Sequence, residues 1–119
     1  MARYRVAPSA RADLAQILAT SLDRWGKEGK RRYATLIVAG FRKVAGDPDG
    51  YVTKARDDLS HGIRSFHLRN ITTVGEGARV KRPVHLLYYR VVQPGLVEIV
   101  RILHERMEPE RHIGTDLKS

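Results

Sequence analysis

The chain has 119 residues, 22 of them Lys or Arg against 13 Asp or Glu, and no cysteine. That length suits one modest core, and the missing thiols exclude disulfides and thiolate-bound zinc or iron–sulfur sites. The net charge of +9 divides into +5 over residues 1–50 and +4 over residues 51–119, so the excess is spread and favours an acidic partner, either nucleic acid or an acidic protein segment.

No apolar run approaches the roughly 18 residues of a membrane span, and MARYRVAPSARADL lacks the basic-then-apolar layout of a secretory signal. A cytoplasmic protein with no membrane partner is expected. Along the chain, RYRVA at residues 3–7 alternates polar and apolar and predicts a short strand, with Ser9 as the N-cap of the helix that follows. Ala10, Leu14, Ile17, Leu18, Ser21 and Trp25 then share one helical face, while Arg11, Asp13, Gln16 and Asp23 sit off it. Gly26 breaks the pattern. A second helix is predicted from Glu28, burying Tyr33, Leu36, Ile37, Gly40, Phe41 and Val44, and stopped by the GDPDG of residues 46–50. With so few residues between them, the two helices should form an antiparallel hairpin.

Residues 51–61 read as a polar loop. Three strands are predicted after it, at Ile63–Asn70, Val84–Gln93 and Leu96–His104, the last two joined tightly through Pro94 and Gly95. Between the first two lies a long basic hairpin loop, 71–83, with Arg79, Lys81 and Arg82. The order β-α-α-β-β-β implies one α+β domain over residues 1–119, a helical hairpin packed on a small antiparallel sheet, with a poorly defined tail at 108–119.

A half-solvated sheet should be apolar on one face and polar on the other. These strands are not so divided: Leu86 and Tyr88 alternate with Leu87 and Tyr89, and Val97 and Ile99 with Val100 and Ile102. Whichever face the helices cover, apolar side chains remain on the other. Either that face is an open binding surface, or loop 71–83 or the chain end from Met107 folds over it.

Motifs for chemistry are sparse. GDPDG follows a helix where a phosphate loop would follow a strand. The histidines at 61, 67, 85, 104 and 112 have no metal-ligand spacing, so neither a metal nor a cofactor is expected. No nucleophile elbow surrounds any serine. Metal-free RNA cleavage needs a base, cations for the growing phosphate charge and an acid, and Arg64, Arg90, Arg101, His85, His104 and Tyr88 have those side-chain types. The same types equally serve packing and ion pairing.

Taken together, YRVAPSARADLAQI at 4–17, RWG at 24–26, RRYATLIVAGFRKVAGDP at 31–48, GIRSFHL at 62–68, HLLYYRV at 85–91 and VEIVRILHERMEPERHIG at 97–114 resemble the ParE branch of the RelE/ParE superfamily of bacterial type II toxins. The resemblance covers nearly the whole chain, although loop 71–83 is longer than the family's hairpin. It implies the fold just read, and a toxin neutralised by a cognate ParD-like antitoxin whose disordered half wraps it. By that resemblance the antitoxin would contact Arg64, Phe66, Tyr88, Arg90, Glu98 and Arg101. ParE-like toxins poison DNA gyrase, whereas RelE-like relatives cut messenger RNA in the ribosome, a reading that would employ Arg64, Arg101 and His104. Glutamates at 105, 108 and 110 would repel a phosphate, so gyrase is the expected target; the resemblance, which ties the family's C-terminal end to toxicity, implies Arg106, Met107, Arg111 and His112 as its contacts. A third reading is a non-toxic member that only binds antitoxin.

Overall fold

The computed structural model describes residues 2–72 and 80–113. Strand β1 (Arg3–Val6) runs through Ala7 into the helical segment α1 (Pro8–Gly46), followed by β2 (Lys54–Ala55), β3 (Arg64–His67), β4 (His85–Gln93) and β5 (Leu96–His104), with 3-10 turns at Leu68–Asn70 and Pro109–Arg111. Residues 73–79 of the predicted basic loop and 114–119 of the predicted tail lie outside the described residues. Ala7, not Ser9, takes the helix cap position, and Pro8 takes the first helical position, where a missing N–H leaves no intrahelical bond unmade.

Gly26 sits at φ 74°, ψ −173° within the helical run, a conformation nearly confined to glycine. A straight helix of 39 residues would extend about 58 Å, yet the longest dimension of the molecule is 37 Å. The run therefore doubles back at Gly26 into two arms, residues 8–25 and 27–46. Ala10 and Ile17 of the first arm meet Leu36, Ile37, Phe41 and Val44 of the second in one core, which is the predicted hairpin.

The sheet order is β1-β5-β4-β3-β2. The pairs β2–β3, β3–β4 and β4–β5 are antiparallel. Strand β1 runs parallel to β5, with Tyr4 opposite Val97 and Val6 opposite Ile99, so the sheet is mixed. The helical hairpin carries the chain away from β1 across one face, and the last strand returns alongside it. Strand β2 has only two residues, both exposed, too few for any periodicity to register within the polar stretch 51–61.

On the helix-covered face, Phe66, Leu68, Leu87, Tyr89, Val97, Ile99 and Ile102 pack against both arms. Tyr88 stands opposite Arg101 while Tyr89 stands opposite Ile99, so Val100 is the extra residue of a bulge and the alternation of β5 shifts there. Val100 and Leu103 thereby join Ile63, Tyr88 and Ile113 in a second core, with Leu59 and Leu86 around it. Tyr88 is only 4% exposed and Leu103 2%. Of the two alternatives for this face, the covered one holds over this part of the sheet: the chain end, through Ile113, and the segment 56–63 lie on it.

Candidate functional site

β1 ends at Val6 opposite Ile99, whereas β5 continues to His104. Among the described residues the outer edge of β5 beyond Ile99 therefore has no strand beside it, and a helical carboxylate fills the place. Asp13 accepts the Ile102 backbone N–H at 2.9 Å and a forked pair from Arg101, Nε at 2.7 Å and Nη2 at 2.9 Å. Arg101 Nη1 also donates to the His112 carbonyl at 3.1 Å. The pair is largely desolvated, with side chains 16% and 14% exposed. Arg101 thus ties three elements together: β5, the first helical arm and the chain end.

Farther along β5 the side chains change character. Tyr33, from the second arm, accepts the Val84 N–H at 3.2 Å and shares a 2.5 Å hydrogen bond with His85 Nδ1. Burial, reinforced by His104 and His67, pushes His85 down to about 4. The Tyr33 oxygen already accepts the Val84 N–H, so its hydroxyl proton is assigned to His85 Nδ1 and the ring proton of the neutral imidazole to Nε2. Burial also raises Tyr33. The His85 and His104 rings meet edge to face at 5.5 Å, and His104 Nδ1 accepts the Arg106 N–H at 3.1 Å, fixing the turn that leaves the strand. On the opposite face, His67 Nδ1 accepts the Arg69 N–H, which leaves Nε2 to donate to Glu105 at 3.2 Å. That bond holds Glu105 below the usual carboxylate range.

Arg64 lies at the other end of the sheet. Its Nη2 donates to Thr53 Oγ1 at 2.7 Å, and its Nε, buried and without a hydrogen bond, is 3.6 Å from Asp49. Its cross-strand neighbour Tyr89 donates to the Pro48 carbonyl, so the two side chains clamp the GDPDG turn onto the sheet. Tyr89 is four positions from His85, the partner of His104, which separates Arg64 from His104 by about 13 Å along the strands. The three ribonuclease candidates, Arg64, Arg101 and His104, therefore do not converge on one substrate position. Two of them already bind protein acceptors.

The residues expected to meet an antitoxin fall into different environments. Phe66 is 1% exposed, in the core beneath the helices, so its place among contact residues is corrected to a packing role. Tyr88 is covered, and burial raises its hydroxyl despite the neighbouring Arg56. Arg90 and Glu98 stand side by side on β4 and β5, and Glu98 bridges Arg90 at 2.9 Å and Arg5 of β1 at 3.1 Å. Arg5 is 56% exposed and Arg90 39%, which makes this cross-strand row the open part of that face. In the chain end, Arg106, Met107 and Arg111 are exposed and His112 is half-buried. Arg111 pairs with Glu108 at 2.6 Å, while Ile113 is fully buried.

Sequence reasoning misses Asp13, which the apolar stripe puts on the solvent side of its helix, and Ile113, an isolated apolar residue in a polar tail. A carboxylate one turn into a helix that follows a short edge strand was the signal for the first; none existed for the second. Among the described residues no group of three or more His, Cys, Asp or Glu is placed to hold a metal ion, and no helix is long and apolar enough to cross a membrane.

Residues 4–109 match the family model described as ParE toxin of type II toxin–antitoxin system, parDE. A protein of Caulobacter vibrioides named Toxin ParE1 is 31% identical over 115 residues, covering 96% of this chain and 100% of its own length. Toxin ParE1 of Mycobacterium tuberculosis is 28% identical over 111 residues, covering 93% and 97%. Among solved structures, a chain of the chromosomal ParDE toxin–antitoxin system of P. aeruginosa superposes with a TM-score of 0.62 at 19% identity, over 87% of this chain and 96% of that one. At that identity the likeness is one of fold.

Proposed function

Because the chain belongs to the ParE toxin family of type II toxin–antitoxin systems, we propose that it arrests growth by binding DNA gyrase and is held inactive by a ParD-like antitoxin. The observation that favours binding over RNA cleavage is the dispersal of the candidate catalytic groups: Arg101 is engaged by Asp13 and the His112 carbonyl, and Arg64 clamps a turn about 13 Å from His104. Phosphate chemistry without a metal needs its base, acid and cations within reach of one atom.

In this reading the exposed residues Arg106, Met107 and Arg111, with His112 beside them, are the target-facing group. The open row Arg5–Glu98–Arg90 is where the antitoxin engages the sheet, extending towards the edges of Arg64, Tyr88 and Arg101. An acidic antitoxin segment would find the two arginines already spaced by Glu98, and a cation-rich surface speeds its capture.

The test is purified protein with gyrase, DNA and ATP, scored for supercoiling and for accumulated cleaved DNA. Truncation after Met107 would also strip Ile113 from the second core, so the informative variant replaces Arg106, Met107 and Arg111 by alanine and keeps Ile113. We expect wild type to inhibit gyrase, the triple variant to lose most inhibition, and both to bind antitoxin equally. Untouched gyrase at growth-arresting concentrations, with messenger RNA cut on the ribosome, would overturn the reading.

A further inference from the structure

The tip of the helical hairpin holds an exposed apolar group that neither the sheet nor the chain end explains. Trp25 is 68% exposed and Leu22 39%, although tryptophan is among the most buried residue types on average. The side chain is nonetheless held in place. The first arm ends immediately after it at Gly26. Its base lies against the bare Cα of Gly29, where a Cβ would fall 2.1 Å from Trp25 Cβ. The Arg24 guanidinium lies 5.7 Å from the ring centroid, within cation–π range.

In the same stretch of the hairpin, Leu22, Lys27, Lys30, Arg31 and Ala34 line a groove of about 380 Å³. Its apolar members are Leu22 and Ala34, and the rest are cations. Residues 22–34 contain Arg24, Lys27, Lys30, Arg31 and Arg32 against Asp23 and Glu28. Glu28 is already occupied, 2.9 Å from Arg31 and 3.9 Å from Arg32. Lys27 and Lys30 have no ion pair among the described residues.

We propose that this tip is a second docking surface, which takes an acidic protein segment with an apolar anchor. The anchor enters between Leu22 and Ala34, carboxylates of the same segment meet Lys27 and Lys30, and the exposed Trp25 at the tip adds an aromatic contact. A pre-positioned tryptophan flanked by arginine has the composition of an interface hot spot, and the unopposed lysines set the sign of the partner. Nucleic acid fits less well, since phosphate recognition needs cations but gains nothing from an aliphatic groove. The surface shares no residue with the proposed gyrase and antitoxin contacts, so the inference stands or falls apart from them.

Trp25 is the sole tryptophan, so its emission reports on this tip alone. The full chain is titrated with three labelled probes: a synthetic peptide of alternating Glu, Asp and Leu, the same peptide with every Leu replaced by Ser, and oligodeoxythymidylate. Emission and probe anisotropy are both read. We expect the leucine peptide to bind saturably with a blue shift, and the serine peptide to bind about tenfold more weakly. The double variant Lys27→Glu, Lys30→Glu and the variant Trp25→Ala should each weaken the leucine peptide by a similar factor with thermal unfolding unchanged. Failure of the leucine peptide to bind overturns the proposal. So does equal binding of the serine peptide, preferential binding of the oligonucleotide, or binding that the tip variants leave untouched.

Discussion

Replacing Asp13 by alanine removes two things at once: the acceptor for the Ile102 N–H at the unpaired edge of β5, and the counter-charge of an Arg101 that has little access to water. Stranding a desolvated guanidinium costs about 3–5 kcal/mol, so Asp13→Ala should lower the urea midpoint sharply. Asp13→Asn retains an oxygen for Ile102 and should cost less. Equal losses for the two variants would mean that charge contributes little here. His85 gives the second residue-scale expectation. Tyr33 of the second arm hydrogen-bonds it; His104 beside it and His67 across the sheet disfavour its charged form, while Asp13 of the first arm and Glu105 just after β5 favour it. Its pKa falls from 6.5 unfolded to about 4 folded, so between those values the unfolded chain binds more protons. The stability from neutral His85 is complete above 6.5 and lost progressively as pH falls to about 4, a contribution on the order of 2–3 kcal/mol. His85→Asn places an oxygen near the Nδ1 position, keeping an acceptor for Tyr33 without a titrating group. Urea midpoints measured from pH 7 to pH 4 should fall less steeply for this variant, and parallel slopes would remove His85 as the cause.

Among the elements, the hairpin was legible because it is written twice, once as two apolar stripes and once as the glycine between them. The structure adds what the stripes could not give, the backbone angles at Gly26. Any Cβ there is strained by about 1–3 kcal/mol, so Gly26→Ala should be destabilised by that amount in urea unfolding. A neutral result would mean that the two arms can be joined in another conformation. The strands were legible as segments but not as partners. Alternation in β5 reads cleanly up to Ile99, and then Val100 is inserted as a bulge that exchanges the faces of everything after it. Two-residue β2 has no pattern to read. The cover of the second face was harder still, because Ile113 is one apolar side chain among charges and its burial depends on where Arg101 holds the His112 carbonyl. Local sequence carries periodicity, but it does not carry such long-range docking.

Across the whole molecule, the same division explains which functional residues could be found. Charged residues on regular strands were identifiable as candidates, yet their roles depended on partners far away in sequence: Arg101 on Asp13, Arg64 on Thr53 and Asp49, Arg90 on Glu98. Composition gave the sign of the surface field, +9 overall, and not the places where it stays unopposed. The order of the strands has a further bearing on how the protein is made. β5 is the last of the described strands but lies inside the sheet, between β1 and β4, and β1 has no other strand partner among the described residues. While the polypeptide is being synthesised from its N-terminus, Arg3 to Val6 must wait for Leu96 to Ile99 to emerge, and a closure over so many residues is slow. Residues as far as Ile99 must therefore leave the ribosome before β1 can find its place in the sheet. A nascent toxin cannot complete this sheet until β5 has been made, which leaves an interval in which an antitoxin already present can meet it first.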